Sequence, residues 1–259
     1  MKSSLLVLFL SLWITLFVPP ISSQAQKEKP VLVAAASDLK FALDSIITVF
    51  SETNQVIIRP IYGSSGKLYE QISNQAPFHI FMSADDQYPK LLAGKGLTGS
   101  EIYLYGLGRL VIWSRKMDAG SLGMGIFKQS GIKKIAIANP DHAPYGKRAV
   151  ETLKYHDLYE KLSSRLVLGE NISQAAQFVS TGAADAGIIA LSLAMAPNMK
   201  RYQTSYFLIP EESHQPLNQG AVLTSFGAEN KAAASFMAFL KTDAARNIFQ
   251  CFGFNQPEN

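Results

Sequence analysis

Short apolar runs alternate along this chain with longer stretches in which apolar residues recur every three or four positions. The run Val31-Leu32-Val33-Ala34-Ala35-Ala36 is followed by Leu39, Ala42, Leu43, Ile46 and Phe50, and the run ending at Ile61 is followed by Leu68 and Ile72. Runs of the first kind predict buried strands, and spacing of the second kind predicts amphipathic helices. Read this way, the chain has strands over 31–36, 56–61, 79–83, 109–113, 135–138, 186–190 and 221–224. Helices are predicted over 39–52, 67–74, 86–93, 147–155, 173–180, 231–240 and 243–252. Strands followed by helices from the start imply an α/β architecture with mostly parallel sheets.

The first two strand-to-helix junctions carry serines. One reads Ala36-Ser37-Asp38 and the other Tyr62-Gly63-Ser64-Ser65-Gly66. Serine is a preferred helix N-cap, so capping alone accounts for Ser37 or Ser65 taken singly. A helix N-terminus also leaves up to about four N–H groups unpaired and carries a partial positive charge, so two such junctions meeting in one cleft would hold an anion. Two further junctions follow the same plan: Asn139-Pro140-Asp141-His142-Ala143-Pro144-Tyr145-Gly146-Lys147, and Gly169-Glu170-Asn171-Ile172-Ser173. Tyr145 reads either as a hydroxyl donor to a ligand or as an amphipathic surface tyrosine. Polar loops before four helices suit anion capture better than acid–base catalysis.

Glycine-flanked Leu107 and the polar stretch 210–220 precede two apolar strands, which makes them places for the chain to cross between lobes. The division expected is a leader over 1–25, lobe I over 26–107 and 219–259, and lobe II over 108–218, with a ligand cleft between the lobes. Hydrophobic residues make up 47% of the 259-residue chain, enough for two small cores or one large one.

Composition narrows the setting. Lys2, the apolar stretch from Leu5 to Val18, Pro19-Pro20 and the small residues of Ser23-Gln24-Ala25 read as a secretory signal peptide. Cleavage after Ala25 would remove one Lys and no acid, lowering the net charge from +4 to +3. The expected location is the periplasm. The lone Cys251 has no partner for an internal disulfide. No Lys/Arg run marks a nucleic-acid surface, so nucleic acid is not expected as a partner.

Other chemistries fail on spacing. Gly63-Ser64-Ser65-Gly66-Lys67-Leu68 has two residues between its glycines where a phosphate loop has four, and Leu68 stands where Ser or Thr is required. Gly106-Leu107-Gly108 lacks the third glycine of a dinucleotide fingerprint and reads as a turn or hinge. There is no Gly-x-Ser-x-Gly elbow. The four histidines are scattered without metal-ligand spacing. Asp85-Asp86 reads as a helix cap with a favourable first-turn charge. Neither a cofactor nor an enzymatic activity is expected.

With Ala34-Ala35-Ala36-Ser37, Tyr62 to Gly66, Phe81-Met82-Ser83-Ala84-Asp85, Asn139 to Gly146, Gly169-Glu170-Asn171-Ile172 and Phe249 to Phe254, the chain resembles the periplasmic molybdate-binding proteins of ABC transporters, the ModA family. The resemblance implies a type II periplasmic-binding-protein fold, two α/β lobes joined by a hinge. It also implies molybdate or tungstate as ligand, a membrane permease as partner, and a monomer. Carried over by position, Ser37 and Ser65 would donate hydroxyl and backbone hydrogen bonds, with Ser64 and the Asp38 amide beside them. Tyr145 and Ile172 would give chiefly backbone N–H groups; all of these are contacts to oxygen and none is a metal ligand. The Asp38 carboxylate would repel a dianion and is expected to turn away and cap a helix. Some family members carry a ligand tyrosine where this chain has Ala190, and the Tyr145 hydroxyl is the candidate replacement. The alternatives are a binding protein for sulfate or phosphate and, further off, an enzyme acting on their esters.

Overall fold

A computed structural model describes residues 29–199 and 201–256. The expected leader lies outside the described residues, among which no helix is long and apolar enough to cross a membrane. The chain begins with β1 (Val31–Ala36), a 3-10 turn (Ser37–Leu39), α1 (Lys40–Thr53), β2 (Ile58–Gly63), α2 (Ser65–Ser73), β3 (Ile80–Ser83), α3 (Gln87–Gly94) and β4 (Tyr103–Gly108). It continues with β5 (Leu110–Trp113), α4 (Ala119–Leu122), β6 (Ile135–Ala138), α5 (Pro144–Tyr155), α6 (Tyr159–Leu162), β7 (Leu166–Gly169), α7 (Ile172–Thr181), β8 (Ala186–Ala190), α8 (Leu191–Ala194) and β9 (Phe207–Leu208). It ends with β10 (Leu217–Leu223), α9 (Lys231–Phe239) and α10 (Asp243–Cys251).

Two five-stranded mixed sheets result, in the orders β2-β1-β3-β10-β4 and β7-β6-β8-β5-β9. In the first, β1 runs parallel to β2 and β3 while β10 is antiparallel to β3 and β4. The second repeats the plan, with β6 parallel to β7 and β8 and β5 antiparallel to β8 and β9. This is the two-lobed architecture that the resemblance implies. The first sheet with its helices forms lobe I, and the second with its helices forms lobe II.

The helical stripe of α1 explains how lobe I is built. Ala42, Leu43, Ile46 and Phe50 are buried along one face, and the helix ends at Asn54, whose backbone is extended. That face meets α9 and α10, with the Phe50 ring edge-on to Phe236 at 5.0 Å. Burying such side chains stabilises the lobe by about 1.5–3 kcal/mol each. On the opposite face Leu68, Ile72 and Leu92 of α2 and α3 cover Phe81. The core of lobe II is continuous with Ala36 and Ala84 of lobe I, so the two lobes meet through apolar contact at the cleft.

Three expectations change. Gly106-Leu107-Gly108 is no turn: it is the end of β4, with Gly106 opposite Gln219, and the chain passes between sheets at Arg109. The return passage runs through 209–216, and residues 217–220 already belong to β10. The strands β4, β7 and β9 are not marked in the sequence, β4 because two glycines interrupt it, β7 because it is partly exposed and β9 because it is two residues long.

Candidate functional site

The carboxyl ends of four parallel strands face one another across the cleft. β1 leads into the Ser37–Leu39 turn, β2 into α2, β6 into the loop before α5, and β7 into α7. Their first residues line a cavity of about 10 Å³, about the room one water needs. From lobe I it is lined by Ser37, Asp38, Ser64 and Ser65, and from lobe II by Tyr145 and Ile172. All six predicted site residues therefore border the same cavity.

Neither predicted serine caps its helix through its side chain. Ser65 opens α2, and its Oγ accepts the Ala84 N–H at 3.0 Å, which leaves its own O–H hydrogen free to donate. Ser37 Oγ reaches across the cleft, donating to Asn171 Oδ1 at 3.1 Å and accepting from Ser173 N at 3.2 Å. Ser64 Oγ lies 2.9 Å from His142 Nδ1, also across the cleft. Gly66 N donates to His142 O at 2.9 Å, and a Cβ on Gly66 would come within 2.7 Å of that carbonyl oxygen, so only glycine permits this approach. These bonds join lobe to lobe at the cavity rim.

Lobe II presents backbone. Ile172 is the first residue of α7, whose N-cap Asn171 accepts from Gln174 N through its side chain. Tyr145 is the second residue of α5, after Pro144, whose fixed φ suits the first helical position. At such positions N–H groups have no intrahelical partner, so both helices aim donors at the cavity. Ala190 closes β8 as the N-cap of α8, and Ser192 Oγ beyond it donates to the Asp38 carbonyl at 2.8 Å.

Asp38 departs from expectation. It is buried in the middle of its turn and caps no helix: its Oδ2 accepts from Gln219 Nε2 at 2.7 Å, while Oδ1 is buried without a partner. Burial disfavours the charged form and pushes its pKa up from 3.8 to about 6, against the Gln219 bond and the neighbouring Tyr145 hydroxyl. Gln219 Nε2 also donates to the Tyr145 hydroxyl at 3.0 Å, and Tyr105 O–H lies 2.8 Å from Gln219 Oε1. Burial, and then the nearby Asp38 charge, raise both tyrosines, which stay neutral. Tyr145 is thus a core residue rather than a surface one, its hydroxyl held in a network that joins the lobes. Asp85, read as a cap, accepts from Tyr88 N in the first turn of α3 at 3.3 Å.

Several residues of the site went unrecognised in the sequence. Asn171 had a signal, since Asn before a helical pattern is an N-cap candidate. Gln219, Tyr105 and His142 had none: each is polar and buried only because another element packs over it.

The family described as bacterial extracellular solute-binding protein matches residues 31–255. The molybdate-binding protein ModA of Rhodobacter capsulatus is 34% identical, covering 86% of this chain and 87% of its own. ModA of Azotobacter vinelandii is 34% identical over 89% and 91% of the two chains. The solved periplasmic molybdate-binding protein of Azotobacter vinelandii superposes with a TM-score of 0.83 at 31% identity, over 88% of this chain and 100% of that one. Combining a type II fold with this level of identity along nearly the whole described chain, the protein belongs to the bacterial extracellular solute-binding proteins, in the ModA family.

Proposed function

We propose that the protein captures molybdate in the periplasm and, as a monomer, delivers it to the membrane permease of an ABC importer, with tungstate as an equivalent ligand. The observation that carries this reading is the meeting of four strand ends and their helix N-termini at one cavity. The names of the relatives supply the identity of the anion.

Burying a dianion costs several kcal/mol unless its oxygens find donors. In this reading the Ser37 and Ser65 hydroxyls and the amides near Asp38 and Ser64 serve it from lobe I. The amides of Tyr145 and Ile172 serve it from lobe II. Because donors come from both lobes, the anion binds the closed state better than the open one and shifts the population toward closure. Ser37 would exchange part of its bonding to Asn171 and Ser173 for the anion. The binding needs no bond breaking and no cofactor. Selectivity follows from size, since sulfate, the smaller anion, would meet the same donors at longer distances, and each weakened bond costs about 1 kcal/mol.

Calorimetry with molybdate, tungstate, sulfate and phosphate tests the proposal. The expected result is tight one-to-one binding of the first two and at least a hundredfold weaker binding of the others. Tight sulfate binding with none for molybdate would overturn it.

A further inference from the structure

The strands β6 and β7 point their carboxyl ends at the cleft, so the segments that feed their amino ends lie at the far end of lobe II. There, residues 127–133 and 158–165 enclose a recess of about 560 Å³. Its floor includes the buried Phe127, Ile132 and Leu162, and its walls carry four cations, Lys128, Lys133, Lys161 and Arg165. Arg165 is half-buried and held by backbone: its Nη1 donates to Phe127 O at 3.2 Å and its Nη2 to Ile132 O. Two carbonyls thereby orient the guanidinium without neutralising it and leave further N–H donors.

Among the described residues, none of these four cations lies within 4 Å of a carboxylate. The acids on the same stretch of chain, Asp157 and Glu160, neither line the recess nor pair with its cations, and Asp185, whose Oδ2 accepts from Lys133 N at 2.9 Å, is paired with Lys116. The net positive charge of the chain lies within the stretch that builds lobe II. Residues 108–218 hold 13 Lys and Arg against 9 Asp and Glu, whereas the rest of the chain holds 11 of each. Four unpaired cations around one recess make a strong local positive potential, and an orientated guanidinium suits an anion with several oxygens.

We infer that this recess is a second anion site, remote from the cleft, which takes a phosphate ester group. The same chemistry is offered by a soluble phosphate monoester and by the headgroup of an anionic lipid, and the apolar floor accommodates the carbon portion of either. The site is independent of the oxyanion reading of the cleft.

The test uses the whole protein with saturating molybdate present, so that the cleft is occupied. Glycerol 3-phosphate is titrated calorimetrically, and co-sedimentation is measured with vesicles of phosphatidylglycerol and of phosphatidylcholine. Binding of glycerol 3-phosphate, or retention by phosphatidylglycerol vesicles alone, is expected; it should weaken at least tenfold in Lys133→Gln/Lys161→Gln and in Arg165→Gln. Both lysines of the first variant are exposed, so it keeps its fold even where Arg165→Gln disturbs the wall. Binding of neither probe, or binding unchanged in the lysine variant, overturns the inference. Equal binding of polyglutamate also overturns it, by making the recess a general polyanion patch.

Discussion

The two sides of the cleft do the same electrostatic task with different materials. Lobe I brings hydroxyls, Ser37, Ser64 and Ser65, together with a buried carboxyl, Asp38. Lobe II brings Tyr145 and Ile172, whose side chains are packed in its core while their backbones open α5 and α7. A donor on a side chain can be removed by one substitution, whereas a donor on the backbone survives nearly any. Sequence identity should therefore matter on one side of the cleft and backbone geometry on the other.

The largest expected asymmetry is electrostatic, because only lobe I carries an acid at the cavity. Asp38 has a folded-state pKa of about 6 against 3.8, so between those values the folded protein holds a proton that the unfolded chain has released. Its contribution to stability is therefore best in acid and declines as pH rises from about 4 to about 6, by about 3 kcal/mol. Asn at this position still offers an oxygen to Gln219. Denaturant unfolding of Asp38→Asn beside the parent, from pH 4 to 7, should show a stability difference that grows in the variant's favour across this window and levels off above it. A difference that stays flat would mean that the carboxyl is not desolvated and that the two sides are electrostatically alike.

Next in size are the hydroxyls. Ser37→Ala and Ser65→Ala should each weaken molybdate binding by about 2 kcal/mol, roughly thirtyfold. Ser65→Ala also leaves the buried Ala84 N–H without its acceptor. Unchanged affinity in both variants would reduce these serines to structural contacts.

Tyr145→Phe gives a sharper comparison within lobe II. Its hydroxyl accepts from Gln219, so its loss should cost about 1 kcal/mol in binding, through a weaker junction between the lobes. A loss equal to that of the serines would instead make this hydroxyl a ligand donor in place of the tyrosine absent at Ala190. The smallest effect belongs to Ile172→Val, which keeps the amide and most of the packing. Calorimetry should find molybdate affinity within about 0.5 kcal/mol of the parent, and a larger change would assign the contact to the side chain.

Much of the fold was legible because its strands are buried and its helices amphipathic. β1, β6 and β8 span 31–36, 135–138 and 186–190 as their apolar runs predict. The edge strand β7 is not marked by its sequence, since Leu168 is half-exposed and the run is short. β10 began earlier than its apolar core suggests because Asn218 and Gln219 precede it, and Gln219 faces inward. The four strand-to-helix junctions were likewise readable from serine, proline and glycine placed where apolar runs end.

What each junction's side chain bonds to was not readable. Ser37 and Ser65 pass their own helices by, Ser37 for Asn171 and Ser173 and Ser65 for Ala84, over separations of 134, 136 and 19 residues. Asp38 meets Gln219 across 181 residues. The sequence by itself determined which segments are strands and helices and which loops carry donors, because periodicity and turn chemistry are local. Only the tertiary structure decided that four of those loops share one cavity and that a buried glutamine ties Asp38 of one lobe to Tyr145 of the other. Such contacts depend on how two sheets are brought together, and no local pattern encodes that distance.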